Sequence, residues 1–274
     1  MAGFFFMAKF GKILGAGLGW AFGGPLGALF GVAVGAMFDK MDSGEHAEEG
    51  NYQTKYQKYR HHSTRADFDR ALITLSAAVM KADGKVLVSE LEYVKAFFRK
   101  HFGPEDTGEY LQILKSILDK EIPLQQVASQ VGYFMEEAAK LQLLHYLFGI
   151  AKSDGSIHAK EVDVLHNISI WMGIGERDFR SIYAMFAGSY SGSGQSSSGG
   201  GRSYKRSLND DFEVLEIEPT SDEKIIKKAY RTLAKKYHPD RVAHLGEEHV
   251  ESAKEKFQTV QEAYDNICKA KNIV

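Results

Sequence analysis

The tripeptide His238-Pro239-Asp240 is the first place in this chain where residue types could do chemistry. A histidine two residues before an aspartate can serve as a general base whose ring the carboxylate orients. Pro239 between them makes the loop rigid, and no nucleophile is evident nearby. The tripeptide therefore suits presentation to another protein better than catalysis. Alone, it also fits a plain loop in which a proline stops a helix.

Two acidic patterns invite a metal reading. "ADGKVLVSELEYV" starts at Ala82 and "SDGSIHAKEVDVL" at Ser153. Each has Asp-Gly, then an apolar residue and a glutamate at matching positions. Asp83 with Glu90, and Asp154 with Glu161, thus match the second half of a calcium loop. The first two acidic ligand positions of such a loop hold Val79 and Lys81 in one copy, Ile150 and Lys152 in the other. Calcium takes six to eight oxygens, so these four carboxylates are weak metal candidates. A tight Asp-Gly turn followed by a carboxylate near a helix start explains the same pattern without an ion.

The whole chain bounds what else is open. Its 274 residues carry a net charge of −2, so no global field draws it to nucleic acid, and none is expected as a partner. The single cysteine, Cys268, cannot close an intramolecular disulfide, which suits a reducing compartment. No P-loop, dinucleotide fingerprint, GxSxG, HExxH or zinc-spaced Cys/His cluster appears, so no cofactor and no enzymatic activity are expected.

The elements that must position His238-Pro239-Asp240 are legible around it. Phe212, Val214, Leu215 and Ile217 mark a short helix that Pro219 ends. Ser221 is expected to cap a second helix, with Glu223 and Lys224 in its first turn. Ile226, Ala229, Leu233 and Tyr237 recur at three and four and predict its buried stripe. Lys224, Lys227, Lys228, Arg231, Lys235 and Lys236 take the remaining surface. The residue before Pro239 is biased away from helix, so the tripeptide falls in a loop. Ala253, Phe257, Val260, Tyr264 and Ile267 predict a third helix that returns antiparallel to the second.

Upstream, residues 188–206 are almost pure Gly and Ser, "GSYSGSGQSSSGGGRSYKR". Such a linker behaves as a random coil with a reach of roughly 25 Å. Before it, Phe68, Leu72, Leu75 and Val79, and later Leu141, Leu144, Phe148 and Ala151, fall at helical spacing. Both sets run into the Asp-Gly patterns, so two helix-turn-helix units of similar design are expected in one all-α core over 64–187.

From Ile13 to Phe38 the chain has no charged residue. As a helix it would reach roughly 39 Å, enough to cross a hydrocarbon core of about 30 Å with tilt, or with a kink at Pro25. Gly15, Gly19, Gly23, Gly27, Gly31 and Gly35 recur every four residues and form one stripe, where a second copy of the helix can approach closely. A homodimer through this stripe is the expectation. Lysines flank the span on both sides, so charge alone does not set its orientation. The expected domains are 1–41 anchor, 42–63 polar connector, 64–187 helical domain, 188–207 linker and 208–274 terminal hairpin.

"KKAYRTLAKKYHPDR" followed by "FQTVQEAYDNI" closely resembles the J-domain of the DnaJ family. The resemblance implies that His238, Pro239 and Asp240 stimulate ATP hydrolysis by a DnaK-type chaperone, and that Lys227, Tyr230, Arg231 and Lys236 dock it. Thr232 stands where the family often has a basic residue, and Glu216 where it commonly has glycine. The doubled Asp-Gly turn and helix order resemble the TerB-like domain, which implies a helical bundle with suspected metal-binding acids. The order of parts is similar to the membrane-anchored DnaJ-like co-chaperones of the DjlA type. That resemblance implies a single-pass protein of the bacterial inner membrane with its bulk in the cytoplasm. A rival expectation is an envelope-stress or metal-responsive binding protein whose J-domain only recruits the chaperone.

Overall fold

A computed structural model describes residues 24–34, 63–187 and 207–273. Gly15, Gly19, Gly23, Gly35 and the segment 188–206 lie outside the described residues, as does the connector up to residue 62. The described residues contain helices and turns but no strand. The fold is all-α, and it divides into two compact units, Met1–Met135 and Glu136–Val274. The segment 64–187 contributes to both.

In the first unit, α1 (24–34) is followed by α2 (Ser63–Met80), α3 (Val88–His101), α4 (Thr107–Leu118) and α5 (Leu124–Phe134). Phe68, Leu72, Leu75 and Val79 are all buried, as their spacing predicts. Every residue from Ala71 to Met80 is in fact buried, because α2 packs against both α4 and α5. Val94 and Phe98 of α3, Ile113 and Ile117 of α4, and Val127 and Val131 of α5 close the core around it. One polar link ties α2 to α3: the His101 Nε2 lies 2.5 Å from Asp69 Oδ1.

Of the expected span from Ile13 to Phe38, the described residues are 24–34, and the rest lies outside them. Gly24, the first residue of α1, adopts φ +57, the left-handed region that glycine enters without a Cβ penalty. The Leu26 N–H donates to Gln130 Oε1 of α5 at 2.9 Å, and Gly27 and Gly31 are buried. Among the described residues no helix is long and apolar enough to cross a membrane.

The second unit contains α6 (Glu137–Ala151), α7 (Ala159–Trp171), α8 (Glu176–Ala187), α9 (Leu208–Val214), α10 (Glu223–Lys236) and α11 (Glu247–Lys271). Leu141, Leu144, Phe148 and Ala151 are buried, and Phe148 meets Phe179 and Phe186 of α8 at ring-centroid distances of 5.5 and 5.6 Å. Short α9 packs on α8 on one side and on α11 on the other. It ends earlier than Pro219 would dictate: Leu215 caps it, and Glu216 turns the chain at φ +58.

The two Asp-Gly turns are built alike. Gly84 and Gly155 have φ of +76 and +101, and the N–H of each donates to the carbonyl of Lys81 or Lys152. A Cβ at either would meet nothing within 4 Å, so conformation and not crowding requires glycine.

Candidate functional site

The second helix of the terminal hairpin, α10, starts one residue later than the serine-cap expectation. Asp222, not Ser221, is the N-cap, and its Oδ1 accepts from the Ile225 N–H at 2.9 Å. Ser221 is instead buried, and its carbonyl accepts from Lys271 Nζ at the end of α11. Asp222 serves better because its carboxylate also faces the positive helix end. Ile226, Leu233 and Tyr237 are buried and Ala229 half-buried, so the apolar stripe lies where its spacing predicts.

His238, Pro239 and Asp240 form one 3-10 turn together with Arg241. The turn is pinned at both ends, by buried Tyr237 before it and buried Val242 and Leu245 after it. Between these anchors the side chains project outward: that of His238 is 51% exposed and that of Asp240 89%. His238 Nδ1 accepts from the Asp240 N–H at 3.3 Å and lies 3.4 Å from Asp240 Oδ2. The histidine thus caps the turn that carries the aspartate. Its ring meets Phe257 of α11 edge-on at 6.4 Å. The pair sits on an open surface and not in a pocket, which suits recognition.

Lys224, Lys227, Lys228, Arg231, Thr232 and Lys235 line a shallow basic groove along α10. Lys227 also pairs with Glu223 one turn earlier, at 2.5 Å. Such an exposed pair is worth a few tenths of a kcal/mol, about 0.3–0.5, and yields readily to a better partner. Tyr230 stacks on Tyr264 at 4.4 Å, so it fastens α10 to α11 as well as facing outward.

Lys236 differs from the other lysines of α10. Its side chain is only 15% exposed, and its Nζ pairs with Asp178 of α8. Glu137 of α6 and Glu216 stand 3.7 and 3.8 Å away. Burial, then repulsion from Asp178, pushes the Glu216 carboxyl up to about 7, partly offset by Lys236. Tyr237 beside them is raised well above its ordinary value by burial, then by the charges of Glu216 and Asp178.

A second buried cation escaped the sequence reading. Lys256 of α11 is 2% exposed, and its Nζ donates to Gln142 Oε1 of α6 at 2.5 Å. Burial lowers its pKa to about 7. It also holds nearby His145 well below the usual histidine range, after that ring's own burial. The signal was available: Ala253, Lys256, Val260, Ala263 and Ile267 share one helical stripe.

Three of the four metal candidates hold backbone N–H groups. Glu90 Oε2 accepts from the Leu87 N–H at 2.7 Å and Glu161 Oε2 from the His158 N–H at 2.8 Å, each closing half a capping box. Asp154 Oδ1 accepts from the Ser156 N–H at 2.9 Å, and Asp83 lies at the exposed turn. Among the described residues no cluster of three or more His, Cys, Asp or Glu is placed to hold a metal.

A helical hairpin with a basic face and an outward His-Pro-Asp turn defines a J-domain co-chaperone, and comparison with known proteins agrees. The DnaJ domain matches residues 210–273, tellurite resistance protein TerB residues 69–184, and the co-chaperone DjlA transmembrane domain residues 7–57. The chain is 31% identical to the co-chaperone protein DjlA of Vibrio cholerae serotype O1, over 97% of this chain and 100% of the relative. It is 27% identical to that of Haemophilus influenzae over 97% and 99%, and 31% to that of Vibrio parahaemolyticus over 75% and 78%. The chain belongs to the DjlA co-chaperone family. No solved structure matches it.

Proposed function

We propose that this chain is anchored in the cytoplasmic membrane and stimulates ATP hydrolysis by a DnaK-type chaperone at the cytoplasmic face. The carrying observation is the turn of His238, Pro239 and Asp240, held outward between buried Tyr237 and Val242 beside the basic groove. His238, Pro239 and Asp240 act on the partner's arrest of hydrolysis, while Lys227, Tyr230, Arg231 and Lys236 dock it. The cations speed encounter with an acidic surface and make it dependent on salt. Hydrolysis takes place in the partner, and this chain supplies no reacting group. The match of residues 7–57 to a transmembrane domain supports anchoring. The cytoplasm, where DnaK and ATP are found, sets the orientation. The glycine stripe pairs two copies.

Asp240→Asn tests this directly. The side chain makes no contact that the fold needs, so the variant should keep its helical signal and melting temperature. Stimulation of the DnaK ATPase by the full chain in detergent micelles should vanish. A variant that stimulates as well as the wild type would refute the mechanism.

A further inference from the structure

Lys236 is an oddity among the proposed docking residues, since it is already engaged. Its ammonium sits among carboxylates from three separate elements: Asp178 on α8, Glu137 on α6 and Glu216 after α9. Other contacts join the same surfaces. Ser181 Oγ of α8 donates to the Val214 carbonyl of α9 at 2.8 Å in a fully buried site. Lys256 of α11 reaches Gln142 of α6 under complete cover. Two polar links and an acidic socket thus hold the hairpin against α6 and α8.

We propose that α6 and α8 form a dock for the chain's own terminal hairpin, and that the Asp178–Glu137–Glu216 socket latches it by holding Lys236 away from a partner. This rests on the reading that Lys236 contacts the chaperone. The socket offers Lys236 the same chemistry as the acidic surface it is to meet, so the two compete. The latch is a gate and not a block. The His238-Pro239-Asp240 turn, Arg231 and the groove stay accessible in the docked form. A partner can therefore bind these first and then draw Lys236 out. Glu216 supports the assignment. A non-glycine residue at φ +58 carries a backbone cost, yet its carboxylate is turned into the socket with only 17% exposure.

The test uses the full chain in detergent micelles, with Asp178→Lys to expel Lys236 and Asp178→Asn to weaken the latch without repulsion. Two quantities are read: backbone hydrogen exchange in Val214–Ile217 and at Tyr237, and the chain concentration that half-maximally stimulates the DnaK ATPase. Exchange should quicken in both variants, more in Asp178→Lys. The half-maximal concentration should fall roughly fivefold in Asp178→Lys, the factor expected if about four-fifths of the wild type is latched. If Asp178→Lys loses helical signal, Asp178→Asn decides alone, with the same signs. Wild-type exchange rates in a folded variant would overturn the dock. Quicker exchange with an unchanged half-maximal concentration would overturn the latch. Stimulation that survives Asp240→Asn would instead sink the co-chaperone mechanism, leaving the exchange result to judge the dock by itself.

Discussion

Replacing Lys256 by methionine should stabilise the second unit at neutral pH, although it removes a hydrogen bond. The lysine is buried, its ammonium donates to the amide oxygen of Gln142, and the nearby Glu255 charge offsets only part of the burial cost. Its pKa falls from 10.5 to about 7 because burial penalises the charged form. At roughly 1.4 kcal/mol for each tenfold change in proton affinity, charging it inside costs on the order of 4–5 kcal/mol at pH 7 and below. Methionine fills similar volume at no such cost, but leaves the buried Gln142 oxygen unpaired, a loss of about 1–3 kcal/mol. The net gain should be roughly 1–4 kcal/mol at pH 7. The sign then reverses. Between pH 7 and 10.5 the unfolded chain binds the lysine proton that the folded chain does not, so wild-type stability rises with pH while the variant stays level. Near pH 10.5 the wild type should be the more stable of the two. Urea midpoints of the full chain in micelles, followed by helical circular dichroism from pH 6.5 to 10, measure both. A Lys256→Met variant less stable than wild type at pH 7, or a wild-type midpoint flat across that range, would refute the reasoning.

Other perturbations follow from the same contacts. Asp222→Ala removes the α10 cap and should cost about 1 kcal/mol in the urea midpoint, with weaker stimulation only if the helix frays. Gly84→Ala and Gly155→Ala force a Cβ into left-handed turns and should each cost about 1–2 kcal/mol, with no steric clash to add, as thermal melts would record. Leu233→Ala opens a cavity in the buried face of α10 and should cost about 2–5 kcal/mol while leaving the exposed turn's residues unchanged.

Periodicity made much of this fold legible. Phe68, Leu72, Leu75 and Val79 declared α2, and Ile226, Leu233 and Tyr237 the inner face of α10, because a stripe at three and four has only one way to be buried. The outward His-Pro-Asp turn was equally readable, since Pro239 must interrupt the helix. What stayed hidden depended on distance along the chain. Glu137, Asp178 and Glu216 meet only after three elements pack, and each looks like an ordinary surface acid in its own window. Ser221 and Asp222 compete for the same cap, and only the geometry of the Ile225 N–H chooses between them.

Glu216 and Lys256 together set how the second unit responds to acid and base, in windows that do not overlap. Glu216 faces Asp178, Lys236, Glu137, Arg177 and the Tyr237 ring, and its carboxyl is raised from 4.5 to about 7, by burial first and Asp178 second. A raised carboxyl means the folded chain binds a proton that the unfolded chain gives up between pH 4.5 and 7. Its contribution is therefore complete below pH 4.5 and lost as pH rises to 7. Lys256 contributes the opposite slope from pH 7 upward. The two give a stability minimum near neutrality, where the hairpin is easiest to lift from α6 and α8. Glu216→Gln should level the acid limb and leave the basic limb intact, and Lys256→Met should do the reverse. Glu216→Gly should level the acid limb too, while the relief of backbone strain raises the whole curve by about 1–2 kcal/mol. An acid limb that persists in Glu216→Gln would mean that some other carboxyl carries it, and the socket would lose its place in the pH response.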